Sequence, residues 1–108
     1  MLFRSLNVEA TVFATHLDQL VDTIVCAEDV VRGKPYPEPF LLAADRLDVA
    51  PECCIVIEDA PAGLEGGRRA GMKSIGVLNT HASLEADRVV KSLADLPATA
   101  FEELLCAA

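Results

Sequence analysis

The sequence predicts an α/β fold: a parallel sheet with flanking helices. Three observations predict it. Short apolar, β-branched runs at residues 23–27, 53–57 and 74–78 alternate with stretches of helical spacing, the pattern of βαβ units. The run at 53–57 is continuously apolar, as a strand covered on both faces should be. That run then stops at two adjacent carboxylates, Glu58 and Asp59, before a Gly-punctuated segment ending at Gly71. In open α/β sheets, ligands sit just beyond the carboxyl ends of the strands, so the acid pair marks a site.

The elements follow in order. Residues 1–21 show a loose helical pattern through Leu6, Val8, Phe13, Leu17 and Leu20, weakened by Thr11, Val12 and Thr15. Residues 23–27 form a strand ended by Glu28 and Asp29. Residues 32–39 hold Pro35, Pro37 and Pro39, which exclude helix and central strand and leave a stiff loop around Lys34. A helix starts at Pro39, with Phe40, Leu41, Ala44 and Leu47 at helical spacing, and ends at Val49-Ala50-Pro51. After the 53–57 strand, Pro61 to Ala70 is helical, with Gly71 as its C-terminal cap. Residues 74–78 form a strand, 84–88 a connector with helical character, and Val89-Val90 an edge strand. Residues 99–105 are helical, with Thr99 and Glu102 placed for a capping box.

Size and charge bound the function. The chain of 108 residues holds one domain, and its 52% hydrophobic content supports a packed core of Val, Leu, Ile and Ala. A net charge of −8 argues against nucleic acid as a partner, because phosphate-backbone binding needs concentrated Lys and Arg. No apolar run approaches the ~20 residues of a membrane span, and no signal-peptide layout is visible. Cys26, Cys53, Cys54 and Cys106 include no Cys-x-x-Cys pair, which speaks for small buried hydrophobes in a reducing, cytoplasmic setting rather than zinc ligands.

Two features carry chemistry. Glu58 and Asp59 present hard oxygens at a strand end, which suits Mg²⁺ with waters and phosphate oxygens completing its shell. The alternative is an acidic turn that only complements the next helix dipole. Lys34, stiffened between Gly33 and Pro35, offers a fixed ammonium for a phosphate or a carboxylate; the alternative is a solvated loop lysine. Gly63, Gly66 and Gly67 are expected to serve close helix–sheet packing rather than dinucleotide binding. His16 and His81 are not spaced as a metal pair, and Arg68 and Arg69 are expected on a solvated helix face.

At these residues the sequence resembles the haloacid dehalogenase superfamily of Mg²⁺-dependent phosphohydrolases, most of all its phosphoglycolate phosphatase and β-phosphoglucomutase-like branch. The lysine motif is Asp29-Val30-Val31-Arg32-Gly33-Lys34-Pro35-Tyr36-Pro37-Glu38-Pro39-Phe40, and the acidic motif is Val56-Ile57-Glu58-Asp59-Ala60-Pro61-Ala62-Gly63, running on to Ala70-Gly71-Met72. The resemblance covers residues 20–80 closely. It implies phosphoryl transfer through an aspartyl-phosphate on a small phosphorylated metabolite, with Asp59 a Mg²⁺ ligand, Glu58 a second ligand or water holder, and Lys34 steadying the nucleophile and phosphoryl oxygens.

The sequence also departs from the family. It has no Asp-x-Asp nucleophile motif, and no apolar strand ending in Ser or Thr is evident before Lys34. The cap domain that selects substrate is missing. Ala60 stands where Ser is common, and Gly66-Gly67 where Ala-Ala is common, at a helix cost of about 1 kcal/mol each. The family's sheet places the nucleophile strand and its successor between the 23–27 and 53–57 strands. The resemblance therefore implies a partial Rossmann-like parallel sheet with flanking helices that lacks the nucleophile strand: the C-terminal half of a core domain, residues 1–108, with a truncated product or split subunit as its origin. Such a chain is expected to be inactive alone and to bind Mg²⁺ weakly or not at all. Self-association or complementation through unpaired strand edges is a further expectation.

Three other readings stand beside the phosphatase. A β-phosphoglucomutase-like phosphomutase fragment shares every motif. A receiver-like signalling module shares length, acidity and sheet, but its acid pair should precede its lysine, and here Lys34 precedes Glu58. A non-catalytic binding module completed by a partner is the third.

Overall fold

A computed structural model of the chain describes residues 2–4, 24–26 and 29–106. Among the described residues, two parallel sheets carry the fold. In the first, β1 (Leu2–Arg4) pairs with β2 (Ile24–Cys26), Leu2 opposite Ile24 and Arg4 opposite Cys26. In the second, β3 (Ile55–Glu58), β4 (Lys73–Val77) and β5 (Arg88–Val90) lie side by side with β4 central. Its register sets Ile57 opposite Ile75 and Ile75 opposite Arg88. Helix α1 (Glu38–Leu47) leads from β2 to β3, α2 (Pro61–Arg69) from β3 to β4, and α3 (Ala100–Cys106) follows β5.

The expected parallel α/β architecture is present, with three differences of detail. Residues 2–4 form β1, where the sequence pattern suggested a helix; the rest of that expected helix lies outside the described residues. Three residues are too few to show a strand period, and pairing with β2 decides their conformation. β1 also gives β2 a parallel neighbour, where the resemblance implied an unpaired edge. Residues 84–88 are not helical: Leu84 and Ala86 pack over Gly76 of β4, and residues 88–90 are already β5.

The core forms where α1 and α2 lie on one face of β3 and β4. Phe40, Ala44, Val56, Ala70 and Met72 make one buried cluster, with Cys54 against it. Burying a side chain the size of Phe40 contributes about 2–3 kcal/mol, so this cluster is a main source of stability. Gly66 and Gly67 let α2 approach closely. A Cβ at Gly66 would stand 2.7 Å from the Phe40 ring, and one at Gly67 would stand 2.8 Å from Val56 Cγ2. The helix penalty of two glycines is thus offset by closer packing. Helix α1 also packs on β2 and on α2, so one helix layer joins the two sheets.

Both helices of that layer end in the same way. At α2, the Met72 N–H reaches the Gly67 carbonyl at 3.0 Å and the Gly71 N–H reaches the Arg68 carbonyl at 3.0 Å, with Gly71 at φ +82°. At α1, the Val49 N–H reaches Ala44 and the Asp48 N–H reaches Asp45, with Asp48 itself at φ 56°. These are Schellman closures, one on the expected glycine and one on an aspartate. Thr99 also behaves differently from the expected box: its hydroxyl donates to Glu103 at 2.7 Å, not to Glu102.

Candidate active site at the carboxyl end of β3

The loop after β2 is held by charge. The Arg32 backbone N–H donates to Glu38 at 3.0 Å, and its guanidinium pairs with the same carboxylate. The Arg32 backbone bond, followed by its side-chain bond, keeps the Glu38 carboxyl below its ordinary pKa. A turn closes with the Tyr36 N–H on the Gly33 carbonyl at 3.0 Å. Two guanidiniums then lie over the Tyr36 ring, Arg32 at 4.5 Å and Arg69 at 5.9 Å from its centre. Such cation–π contacts contribute about 0.5–1 kcal/mol each at exposed sites, and here they tie the loop to α2. The Lys34 peptide sits at the centre of this loop.

Lys34 and Glu58 meet. The Lys34 ammonium donates to Glu58 Oε1, half-buried between the loop and β3. The other oxygen, Oε2, accepts from the Asp59 N–H at 3.1 Å and the Ala60 N–H at 3.2 Å. Ala60 precedes α2 and has no side-chain oxygen to cap it, so Glu58 takes up N–H groups at that end and sets a negative charge by the positive end of the helix. Of the two settings expected for Glu58, the turn against the helix is the one its hydrogen bonds display; its pairing with Lys34 was not foreseen from the sequence.

This conformation needs space, and Gly63 supplies it. A Cβ at Gly63 would overlap the Glu58 carboxyl group. Sequence reasoning assigned Gly63 to helix–sheet packing together with Gly66 and Gly67. The structure separates it from them: Gly66 and Gly67 face Phe40 and Val56, while Gly63 faces the site. Its position five residues after Glu58, within the first turn of α2, was the available clue.

Asp59 is half-buried beside this pair. Among the described residues no group of three or more His, Cys, Asp or Glu side chains is arranged to hold a metal ion. Mg²⁺ commonly takes only one or two protein carboxylates and fills its shell with water and phosphate oxygens. The donor set fits such an ion in part: Asp59 would be the carboxylate left to hold it, because Glu58 is already engaged by Lys34 and two N–H groups.

The remaining sequence candidates lie elsewhere. Arg68 and Arg69 are on the exposed side of α2 as expected, but both pair with Glu65. His81 is exposed in the loop after β4, and His16 is outside the described residues. A cleft between α2 and residues 83–87, lined by Leu64, Met72, Ser74, Leu84 and Asp87, contains none of Lys34, Glu58 or Asp59. A strand, β1, precedes Lys34 where the sequence showed none, and the residue after it in the sequence is Ser5, which lies outside the described residues.

Comparison with known proteins agrees with this geometry. The family model for haloacid dehalogenase-like hydrolases matches residues 4–77. The chain is 44% identical over 81 residues to a validoxylamine A 7'-phosphate phosphatase from Streptomyces hygroscopicus subsp. limoneus, covering 72% of this chain and 38% of that protein. It is 45% identical over 73 residues to a β-phosphoglucomutase from Bacillus subtilis, covering 68% of this chain and 32% of that protein. The chain thus spans about a third of the length of these curated relatives. Among solved structures, a HAD hydrolase of family IA, variant 3, from Entamoeba histolytica superposes with a TM-score of 0.83 over 93% of this chain and 48% of that one; at 23% identity this speaks for the fold alone. A putative β-phosphoglucomutase from Thermotoga maritima gives 0.71 at 27% identity, over 98% of this chain and 50% of that one. With a family model matched across most of its length, and with Lys34, Glu58 and Asp59 gathered at one strand end, the chain belongs to the haloacid dehalogenase-like hydrolase family.

Proposed function

We propose that this chain is the lysine and acid half of a Mg²⁺-dependent phosphoryl-transfer hydrolase acting on a small phosphorylated metabolite, and that it does not turn over alone. The observation that carries the reading is the convergence of Lys34 with Glu58 and Asp59 at the carboxyl end of β3. The names of the relatives support it, since phosphatases of validoxylamine A 7'-phosphate and hexitols and a β-phosphoglucomutase stand among them.

Each residue has a role in this reading. Asp59 holds the cation. Bound Mg²⁺ would offset negative charge on phosphoryl oxygens, where the transition state spreads it. Lys34 supplies a fixed positive charge to the same oxygens. Glu58 orients Lys34 and closes the turn into α2, so its part is positioning before coordination. Residues 1–108 act as one partial core domain in a reducing, cytoplasmic compartment, in keeping with the free thiols of Cys53 and Cys54. A phosphomutase is the second reading, favoured by the 45% identity to a β-phosphoglucomutase.

Titration with Mn²⁺, a paramagnetic stand-in for Mg²⁺, tests the cation site. Broadening of the Asp59 and Ala60 amide signals that vanishes in Asp59→Asn is expected; equal broadening in the variant would remove Asp59 from the site. An assay with p-nitrophenyl phosphate and Mg²⁺ should show no turnover by the purified chain. Turnover abolished by Asp59→Asn, with no other polypeptide present, would overturn the claim of inactivity.

A further inference from the structure

Stiffness alone does not aim Lys34. Pro35, Pro37 and Pro39 restrict the loop between β2 and α1, but they leave open which way it leans. The Tyr36 N–H closes a four-residue turn on the Gly33 carbonyl at 3.0 Å, and Lys34 and Pro35 occupy its central positions. Fixing the Tyr36 end of that turn therefore fixes where Lys34 stands.

Two independent observations place Tyr36 on α2. The first concerns its backbone. A Cβ at Gly66 would stand 3.1 Å from the Tyr36 carbonyl oxygen as well as 2.7 Å from the Phe40 ring. Gly66 thus makes room for the loop as well as for the core. The second concerns its ring. Arg32, at 4.5 Å from the ring centre, comes from the loop itself and serves the loop's own shape. Arg69, at 5.9 Å, comes from α2 and joins the two elements. Arg69 is in turn held by Glu65, to which its Nε donates at 3.1 Å. Tyr36 is 41% exposed and stands outside the buried cluster of Phe40, Ala44, Val56, Ala70 and Met72, so core packing does not account for its placement.

We infer that Tyr36 is a positioning residue: seated on α2 by Gly66 and Arg69, it holds the Gly33–Tyr36 turn where the Lys34 ammonium reaches Glu58. Tyr36 acts through Lys34 and needs no contact with substrate. Its bearing on phosphoryl transfer rests on the proposed function. The pairing of Lys34 with Glu58 does not, so the two readings can fail separately.

The coupling between Lys34 and Glu58 in the full chain tests the inference. A double-mutant cycle of Lys34→Met and Glu58→Gln, read by urea midpoints, measures it in the wild type and in each of the following backgrounds. Tyr36→Leu removes the aromatic face and should cut the coupling to about half or less of its wild-type value. Tyr36→Phe keeps the face and should retain the coupling. Arg69→Gln should act as Tyr36→Leu does, and the two together should lower the coupling no further than either alone. Arg68→Gln is the control, since Arg68 shares Glu65 but is the more exposed arginine; it should leave the coupling unchanged. A Tyr36 that served stability alone would lower every midpoint and leave the coupling intact. Coupling that is absent in the wild type, or unchanged in Tyr36→Leu or in Arg69→Gln, would overturn the inference. Equal loss in Tyr36→Phe and Tyr36→Leu, or in Arg68→Gln and Arg69→Gln, would overturn it too. Should circular dichroism show Tyr36→Leu unfolded, Arg69→Gln decides by the same measurement.

Discussion

Lys34 and Glu58, 24 residues apart in sequence, form an ion pair with side chains 26% and 13% exposed. The pair lies between the exposed class, which contributes about 0–1 kcal/mol, and the buried class, where losing one partner costs about 3–5 kcal/mol. Lys34→Met should therefore destabilise the chain by roughly 1–3 kcal/mol, because it leaves Glu58 half-buried with only two N–H partners. Glu58→Gln in the Lys34→Met background should cost less than in the wild type. Urea midpoints of the two single variants and the double variant measure this; strictly additive costs would show that the side chains do not act as a pair.

Gly63→Ala should mimic the loss of Glu58. The new methyl displaces the Glu58 carboxyl group, so Lys34 and the Asp59 and Ala60 N–H groups lose their acceptor. The gain in helix propensity, about 1 kcal/mol, is then offset. The signature is non-additivity: in a Glu58→Ala background the same substitution should become stabilising, as read from urea midpoints.

Gly67→Ala should also destabilise, through a different neighbour. Its methyl meets the β-branched Val56 at 2.8 Å, a side chain with little freedom to turn away. Overpacking typically costs about 1–3 kcal/mol, more than the propensity gain. Val56→Ala should relieve the clash, so Gly67→Ala should cost less in that background. Thermal unfolding of the four proteins checks the prediction.

The two Schellman closures predict opposite signs at equivalent positions. Gly71, at φ +82° in open space, should lose about 1 kcal/mol on substitution by Ala, from backbone strain alone. Asp48, at φ 56°, should gain up to about 1 kcal/mol when replaced by Gly. Denaturant midpoints of Gly71→Ala and Asp48→Gly should move in opposite directions.

Glu65 should titrate far below an ordinary glutamate. Hydrogen bonding from Arg68, then the Arg68 and Arg69 charges and the Arg69 bond, lowers its pKa from 4.5 to about 2. A lowered folded-state pKa means that the stabilisation is complete above pH 4.5 and is lost as the pH falls toward 2. Carboxyl NMR should place the midpoint near 2, and Arg68→Ala should move it back further than Arg69→Ala does, since Arg68 is the larger cause.

Much of this molecule was legible before its structure. β3 could be read from the apolar run Cys53–Ile57, although the strand spans Ile55–Glu58, Cys53 lies in a 3-10 turn before it, and Ile57 is 43% exposed rather than covered as expected. α2 could be read from Pro61 and Gly71 because one suits a helix start and the other a left-handed closure. Glu58, Asp59 and Lys34 could be read because chemistry-bearing residues at strand ends and in stiff loops stand out against apolar runs. These are local properties, encoded in composition and spacing over a few residues.

Other features depended on distant partners. β1 is too short to carry a period, and it exists as a strand through β2. Leu84 is held as coil by its packing over Gly76 rather than by its own propensity. The division of labour among three glycines in one helix depends on what each faces: Glu58, Phe40 or Val56. Adjacent acids of equal standing in the sequence, Glu58 and Asp59, become unequal because Lys34 arrives beside only one of them. Composition and spacing specify which elements form and which chemistry they carry. Close packing and long-range charge pairing, which join residues far apart in the chain, assign each residue its task.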